Sequence, residues 1–183
     1  MNSTLITGGT GFIGSHTCVK LLESGKKIII LDSLANSSKL IIERLVKICN
    51  LSSTNLSKRV TFIQGDIRSF ELLDKIFFSE QKNNTPIDSV VHLAGLKSIE
   101  ESIRLPIDYW DVNVNGSINL LKIMKKYECF QIVFRSSASI YGASDDNSLK
   151  ENAKINPTNT YAKTKVAVEE FLYDVFKSAP NKW

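Results

Sequence analysis

The sequence has few residues of the types that bind metals or form disulfides. His16 and His92 are its only histidines, and neither has a partner at the spacing typical of zinc ligands. The three cysteines (Cys18, Cys49 and Cys129) are odd in number, widely separated and outside any CxxC motif. This pattern indicates free thiols in a reducing compartment. We therefore expect no metal site, no disulfide framework and a cytoplasmic location.

Long apolar runs and strong net charge are also lacking. No run reaches the length of about 18 apolar residues that is typical of a membrane helix, and the N-terminus lacks the basic and apolar regions of a signal peptide. The formal net charge is only +4, and basic residues are scattered without interleaved aromatic residues. A solvated basic face explains them better than a nucleic-acid interface does. We expect neither a membrane nor a nucleic acid as partner.

What the sequence does contain is an alternation of short β-branched runs with longer helical patterns. Strands are predicted at 3–8, 27–32, 60–66, 89–95 and 130–137, helices at 12–25, 40–49, 70–80, 106–126 and 159–177, and a polar surface loop at 48–58. Because the strands are nearly continuously hydrophobic, they are expected to be parallel and covered on both faces. The predicted fold class is α/β, a doubly wound Rossmann-like sheet in the order 3-2-1-4-5. We expect one domain over residues 1–183.

The first predicted strand leads into the glycine-rich stretch GGTGFIG, residues 8–14. Glycines between a strand and a helix allow a tight turn and let the backbone approach a pyrophosphate at the helix N-terminus. Asp32 ends the second strand 18 residues beyond Gly14 (32 − 14), where a carboxylate can bind an adenosine ribose. A P-loop is disfavoured because no lysine follows Gly14, whereas a plain glycine turn stays an alternative. The pattern favours NAD over NADP, since Asp32 would repel a 2′-phosphate.

Tyr161 and Lys165 are four residues apart in YAKTK and share one helix face. Tyr173 and Lys177 have the same spacing, but they come twelve residues later in the predicted helix. A helix that follows a parallel strand starts at the carboxyl edge of the sheet, where ligands bind, so the earlier pair is the candidate. Free phenols ionise near pH 10. A nearby ammonium stabilises the phenolate, which could then remove a proton from an alcohol while a hydride leaves.

The fifth predicted strand is followed by SSASIYG, which contains three candidate hydroxyls: Ser136, Ser137 and Ser139. A hydroxyl at this edge could contact a substrate oxygen. Hydrogen bonding to the loop backbone is the alternative role for at least one of them.

The motifs TGGTGFIGSHT, ILDSLANSS, GDIR, VVHLAGLKSIEES, YWDVNVNG, SSASIYG and TYAKTK together resemble the extended short-chain dehydrogenase/reductase family, and within it the UDP-glucose 4-epimerases. The resemblance covers nearly the whole chain and implies a catalytic set of Ser137, Tyr161 and Lys165. It also implies NAD contacts at all three of these residues and at Gly8, Gly11, Phe12, Ile13, Gly14, Asp32, Ser33, Leu34, Ala35, Asn36, Ser37, Asp66, Ile67, Leu93, Ala94, Gly95, Lys97 and Asn113.

The resemblance implies that UDP-glucose and UDP-galactose are interconverted through a 4-keto sugar, with hydride passing transiently to bound NAD. It also implies a UDP-sugar substrate, a possible homodimer, and a sixth strand and substrate-binding lobe after Trp183. We therefore expect this chain to be a fragment that is inactive alone. The alternatives are another nucleotide-sugar epimerase or dehydratase and a non-catalytic NAD sensor.

Three positions depart from the epimerase pattern. Arg135 stands in place of a small hydroxyl residue, Thr160 in place of a proline, and Val112 in place of an asparagine. A dehydratase is expected to carry Asp-Glu directly after the catalytic hydroxyl, where this sequence has Ala138 and Ser139. The missing carboxylates argue against dehydration.

Overall fold

The computed structural model describes residues 2–50, 58–142 and 149–183. Its five strands are β1 (Ser3–Thr7), β2 (Lys27–Asp32), β3 (Val60–Gln64), β4 (Ile87–His92) and β5 (Gln131–Phe134). Every residue of β1 and all but the first residue of β2 are buried, as expected for central strands covered by helices on both faces.

All strand pairs are parallel, and the sheet order is β3-β2-β1-β4-β5. The predicted fold class and strand order are therefore confirmed. Parallel pairing places the ends of β1, β2 and β4 at one edge, since Thr7 pairs with both Leu31 and His92. The residues that follow these three strands carry the predicted nucleotide motifs.

The α-helices are α1 (Phe12–Glu23), α2 (Leu40–Ile48), α3 (Phe70–Lys82), α4 (Ile99–Arg104), α5 (Pro106–Trp110), α6 (Gly116–Lys126) and α7 (Thr160–Ser178). Ser69 caps α3, because its hydroxyl accepts a hydrogen bond from Leu72 N at 3.2 Å. Asn159 caps α7 in the same way, through Ala162 N at 2.8 Å. Much of the loop predicted at 48–58 falls outside the described residues.

The helix predicted over 106–126 is interrupted by a π-helical segment, Asp111–Asn115. Such segments widen the backbone by one residue and are frequent at functional sites. Two elements were not predicted at all: α4, and a 3₁₀ turn at Ala138–Tyr141. Both begin at a serine whose side chain accepts a backbone N–H, Ser98 and Ser137 respectively.

The described residues form two compact units: 1–94 with 119–134, and 95–118 with 135–183. The first unit contains the whole sheet, and its core includes Ile6, Cys18, Ile28 and Leu93. The second unit contains α4, α5, the π segment and α7. Tyr109 is fully buried there, and its hydroxyl donates to Glu101 Oε2 at 2.8 Å.

No helix in the described ranges is long and apolar enough to cross a membrane. No group of three or more histidine, cysteine, aspartate or glutamate side chains in these ranges could hold a metal ion.

Candidate functional site

In the first unit, the glycine turn between β1 and α1 is packed too closely for side chains. Gly8 has a φ of +71°, and a Cβ atom added to it would lie 2.7 Å from Ala94 N. A Cβ on Gly14 would contact Gly8 O and lie 2.7 Å from Gly9 Cα. Packing within the turn and against the end of β4 therefore requires glycine at both positions, which is the tight turn expected of a dinucleotide cradle.

The N-terminus of α1 follows this turn directly. Gly11 occupies the capping position and supplies no side chain, and its φ of −70° and ψ of 174° turn the chain into the helix. Phe12 is 79% exposed, and Ile13 is also exposed. The first backbone N–H groups of a helix have no partner within the helix and carry a partial positive charge, which suits a pyrophosphate.

Asp32 connects the end of β2 to the glycine turn. Its Oδ2 accepts a hydrogen bond from Thr10 N at 3.0 Å, and its Oδ1 accepts from Leu34 N at 2.9 Å and from Ser37 Oγ at 3.2 Å. Thr10 and Ser37 also join their hydroxyls at 2.7 Å. Ser33, Ala35 and Asn36 are exposed in the same loop. The carboxylate is thus fixed at the rim of the glycine turn, where an adenosine ribose is predicted.

Asp66, the predicted adenine contact, is paired with Arg68. Arg68 Nη2 lies 2.7 Å from Asp66 Oδ2, and Arg68 N donates to Asp66 Oδ1 at 2.8 Å. The side-chain hydrogen bond from Arg68 lowers the pKa of Asp66, so this carboxyl is ionised at neutral pH. The neighbouring Ile67 is buried.

The end of β4 is joined to the end of β1. Leu93 N donates to Thr7 O at 3.0 Å, and Ala94 N donates to Thr7 Oγ1 at 3.3 Å. Thr7 Oγ1 also lies 2.7 Å from Nδ1 of the buried His92. These bonds place Leu93 and Ala94 beside Gly8, so all three form one wall of the glycine turn.

In the second unit, Asn113 of the π segment is a buried crosslink. Its Oδ1 accepts from Leu96 N at 2.8 Å, and its Nδ2 donates to Leu96 O and to Thr164 Oγ1, both at 3.0 Å. Thr164 Oγ1 in turn donates to Tyr161 O at 2.7 Å. Asn113, one of the predicted NAD contacts, thus connects the Gly95–Leu96 segment to the helix that carries Tyr161.

Tyr161 and Lys165 lie on α7 and are almost fully buried, with 6% and 2% of their surface exposed. Lys165 Nζ is 5.8 Å from the centroid of the Tyr161 ring and donates to Arg135 O at 3.3 Å. Burial, and after it the Arg135 charge, lower the pKa of Lys165 to about 8, and Glu169 opposes the decrease. The ammonium therefore stays protonated at neutral pH and lies within reach of the phenol ring.

Three other predicted residues, Gly95, Lys97 and Ser137, belong to the same unit as the pair. A Cβ added to Gly95, whose φ is +155°, would lie 2.9 Å from Asn113 Oδ1, so only glycine fits easily there, and the same atom would lie 3.5 Å from Lys165 Nζ. Lys97 is exposed. Ser137 begins the 3₁₀ turn that packs on α7, and its hydroxyl lies 2.9 Å from Ser139 Oγ and accepts from Ser139 N at 3.3 Å. Ser137 therefore has a backbone-capping role in this structure.

Several residues that organise these sites were not identified from the sequence. Thr10 and Thr7 hold Asp32 and the end of β4, and Thr164 connects Asn113 to α7. Thr10 lies between the motif glycines and Thr164 lies within YAKTK. Their positions inside these motifs were the one feature of the sequence that could have identified them. Arg135 was singled out only as a departure from a pattern, whereas the structure gives it contact with Lys165.

Comparison with known proteins gives a consistent picture. The sequence pattern of the family described as GDP-mannose 4,6 dehydratase matches residues 5–180. UDP-glucose 4-epimerase of Neisseria meningitidis serogroup C is 43% identical over 184 residues, which is 99% of this chain and 50% of that protein. UDP-glucose 4-epimerase 2 of rice (Oryza sativa subsp. japonica) is 39% identical over 181 residues, which is 99% of this chain and 42% of that protein.

Solved structures of epimerases also match this chain. UDP-glucose 4-epimerase from Bifidobacterium longum, in complex with NAD+ and UDP, matches with a TM-score of 0.86 and 36% identity over 98% of this chain and 50% of that one. The enzyme from Stenotrophomonas maltophila, with bound NAD and formylated UDP-arabinopyranose, matches with a TM-score of 0.85 and 36% identity, over 97% of this chain and 49% of that one. The chain spans about half the length of the curated relatives it matches.

Proposed function

The chain belongs to the GDP-mannose 4,6 dehydratase family, and we propose that it supplies the NAD-binding and proton-transfer residues of a UDP-glucose 4-epimerase. In this proposal residues 1–183 are the NAD-binding domain, the substrate is a UDP-sugar, and UDP-glucose and UDP-galactose are interconverted. The observation that carries the proposal is the buried Tyr161–Lys165 pair on α7, with Nζ 5.8 Å from the phenol ring. Similarity to UDP-glucose 4-epimerases supports the choice of substrate.

The residues present fit NAD. The glycine turn leaves no room for side chains at Gly8 and Gly14, which frees the backbone for a pyrophosphate at the start of α1. Asp32 offers a buried carboxylate to a ribose and would repel a 2′-phosphate. We assign the adenosine side to the loop 33–37 with Asp66 and Ile67, and the remaining contacts to Leu93, Ala94, Gly95, Lys97 and Asn113.

In this assignment Tyr161 takes the proton from the sugar 4-hydroxyl as general base and returns it later as general acid. NAD, held by the glycine turn and Asp32, would supply a reversible hydride acceptor for C4 of the sugar, so that the reaction would have no net redox change. The Lys165 ammonium stabilises the phenolate form of Tyr161 through its charge, because burial removes the competing water. Ser137 donates a hydrogen bond to the same sugar oxygen once its own hydroxyl turns away from Ser139.

Dehydration is the competing reaction, because the family is described as GDP-mannose 4,6 dehydratase. A dehydratase must eliminate water and needs further acid–base carboxyl groups. The 3₁₀ turn that follows Ser137, Ala138–Tyr141, contains no acidic residue. This favours epimerisation, in which one proton acceptor is enough.

The test replaces Tyr161, the proposed base, by phenylalanine, which keeps the aromatic ring and removes the hydroxyl. Tyr161→Phe in the full chain is expected to lower turnover of UDP-galactose by about 100-fold or more, the usual contribution of a general base, with NAD binding retained. The control is Tyr173→Phe, since Tyr173 also stacks with a lysine four residues later, Lys177 at 4.5 Å, but is 57% exposed. It is expected to keep full turnover.

Each outcome of this test assigns a role. An active Tyr161→Phe variant would refute the assignment of the base. NAD binding without turnover in the chain joined to a substrate-binding lobe would favour the sensor alternative. A 4-keto-6-deoxy sugar as product would identify a dehydratase.

The assembly and location are part of the same proposal. We infer a homodimer and a cytoplasmic site of action from the resemblance and from the free cysteines. Sedimentation analysis of the purified chain measures the oligomeric state directly, and a monomer at all concentrations would exclude the dimer.

A further inference from the structure

Asp66 and Arg68 form a forked ion pair in the turn between β3 and α3. Arg68 Nη2 lies 2.7 Å from Asp66 Oδ2, while Arg68 Nε and Arg68 N donate to Asp66 Oδ1 at 3.1 Å and 2.8 Å. The carbonyl oxygen of Arg68 accepts a hydrogen bond from Asn119 Nδ2 of α6 at 3.0 Å. Arg68 is therefore held by its backbone as well as its side chain, and its contacts fix the orientation of the Asp66 carboxylate.

We propose that Arg68 is a positioning residue for the adenine base of NAD, whose guanidinium holds the Asp66 carboxylate so that Oδ2 accepts a hydrogen bond from the exocyclic amine of the base. The inference rests on the proposed function, in which the adenosine side of NAD lies at the loop 33–37 with Asp66 and Ile67. It adds Arg68 and its anchor Asn119 to that site, and it makes the choice of base depend on them.

The turn lies beside the carboxylate assigned to the adenosine ribose. Asp32 ends β2 and pairs in register with Gln64, the last residue of β3. Gly65 N then donates to Asp32 O at 3.0 Å, which joins the start of the turn to the end of β2. Neighbouring strands of a sheet are only about 4.8 Å apart. A base attached to a ribose at Asp32 therefore reaches the residues that follow β3.

A carboxylate at this place discriminates between purine bases. An ionised carboxyl group only accepts hydrogen bonds, and the side-chain hydrogen bond from Arg68 lowers the pKa of Asp66. Adenine carries an amine, which donates, where hypoxanthine carries a carbonyl oxygen, which accepts. The Asp66 carboxylate is thus complementary to adenine and repels the oxygen of hypoxanthine. A site built to bind an N–H group discriminates strongly against an analogue that lacks it.

The fork explains why an arginine is needed for this role. Two parallel N–H···O bonds fix a carboxylate more exactly than a single bond does, and a lysine cannot form them. Asp66 Oδ1 accepts from both Nε and N of Arg68, whereas the fork reaches Oδ2 through Nη2. A carboxylate oxygen can accept more than one hydrogen bond, so the amine of the base is matched to Oδ2.

The experiment measures by calorimetry how tightly the full chain, freed of bound nucleotide, binds NAD and nicotinamide hypoxanthine dinucleotide. The two dinucleotides differ in the group that replaces the amine of the base. The unchanged chain is expected to bind NAD at least about tenfold more tightly, the usual order for a hydrogen bond to a charged group. Arg68→Gln is expected to lower NAD affinity by about tenfold and to leave the affinity for the analogue nearly unchanged.

Two further variants separate orientation from charge. Arg68→Lys keeps the positive charge but lacks the fork, and it is expected to lose most of the preference for NAD. Asn119→Ala removes the anchor of the Arg68 carbonyl and is expected to lower the preference by a smaller factor. An Arg68→Lys chain with the full preference would show that charge alone is sufficient, and it would overturn the positioning role.

The matched control is Lys126→Gln. Lys126, the last residue of α6, lies 2.6 Å from Asp74 Oδ1 of α3, and this ion pair is exposed to a similar extent as that of Asp66 and Arg68. The control therefore removes one positive charge and one exposed ion pair, as Arg68→Gln does. It is expected to change neither affinity. Exposed ion pairs contribute little to stability, so both variants are expected to fold.

A purely structural role for Arg68, limited to closing the turn before α3, would lower both affinities by the same factor. That result would overturn the proposal, as would an unchanged preference for NAD in the folded variant. If Arg68→Gln does not fold, Arg68→Met removes the same fork and keeps the aliphatic stem. Failure of the proposed function appears separately, since the unchanged chain would then bind neither dinucleotide.

Discussion

Gly8 and Gly25 have similar backbone angles but different surroundings. Their φ values are +71° and +86°, a region that residues with a side chain rarely adopt. A Cβ on Gly8 would lie within 3 Å of three backbone atoms of Leu93 and Ala94, whereas a Cβ on Gly25 would meet nothing within 4 Å. Comparing Gly8 with Gly25 therefore separates the free-energy cost of the backbone angle from the free-energy cost of close packing.

Alanine substitution at these two positions is expected to give different results. Gly25→Ala should lower the free energy of unfolding by about 1–2 kcal/mol, the cost of the left-handed conformation, and leave NAD affinity unchanged. Gly8→Ala should add a further ~1–3 kcal/mol for the steric conflict and weaken NAD binding by roughly tenfold or more, because each 1.4 kcal/mol of lost interaction is tenfold in Kd. Urea unfolding and calorimetric NAD titration measure both quantities. Equal effects of the two substitutions would show that close packing at Gly8 is unimportant.

Helices α3 and α7 both begin with a side-chain cap, but only α7 carries proposed catalytic residues. Asn159 accepts from Ala162 N at 2.8 Å at the start of α7, two residues before Tyr161. Ser69 accepts from Leu72 N at 3.2 Å at the start of α3, which carries none of the proposed catalytic residues. A cap satisfies a backbone N–H that has no partner within the helix. The element that needs an ordered first turn for its chemistry is α7.

Removing each cap tests this difference between the helices. Asn159→Ala and Ser69→Ala are each expected to destabilise the protein by about 1 kcal/mol, the usual value of a side-chain cap. Only Asn159→Ala is expected to lower kcat as well, because fraying of the first turn of α7 displaces Tyr161. Asn159→Asp keeps the acceptor and should restore both properties. If Ser69→Ala lowered kcat to the same extent, the effect would reflect general loss of stability.

The elements also show what could be predicted from sequence. The strands and the order 3-2-1-4-5 were predictable because local propensity, hydrophobic pattern and the right-handed crossover agree for this class of fold. The π segment was not, because its shape is tied to Asn113, whose partners Leu96 and Thr164 are 17 and 51 residues away. Helix α4, six residues long, is too short to show a clear period. Contacts between distant segments, such as Lys165 with Arg135, are likewise invisible in a spacing pattern.

Across the whole molecule, the buried ionisable groups make stability depend on pH in the alkaline range. Burial raises the pKa of the Cys18 and Cys129 thiols to about 12, from an ordinary value of 9.0. In the unfolded chain these thiols ionise first, so the folded state loses stability as pH rises from 9 towards 12. Lys165 has the opposite sign, since its pKa of about 8 lies below the ordinary 10.5, and its destabilising effect is relieved between these two values.

The contribution of the two thiols to the alkaline loss of stability can be isolated by comparing how steeply the free energy of unfolding depends on pH in two proteins. The free energy of unfolding of the unchanged chain is expected to fall by a few kcal/mol through the alkaline range in which the thiols of the unfolded state ionise. The double variant Cys18→Ala/Cys129→Ala should be less stable at pH 7, because two buried side chains are shortened. Above pH 9, which is the ordinary pKa of a cysteine thiol, the stability of this variant should nevertheless depend less steeply on pH. Lys165 is present in both proteins and cancels in the comparison.

Cys49→Ala provides the control for this measurement, since Cys49 is only partly buried and the rise in its pKa, also caused by burial, is smaller. Its slope should lie between those of the unchanged chain and the double variant, because Cys49 also contributes, after burial, to the raised pKa of Cys18. Urea unfolding under reducing conditions, at closely spaced pH values above 8, gives the slopes for all three proteins. A double variant with the same slope as the unchanged chain would mean that the two thiols ionise as readily in the folded state as in the unfolded one. The alkaline loss of stability would then have to come from other groups.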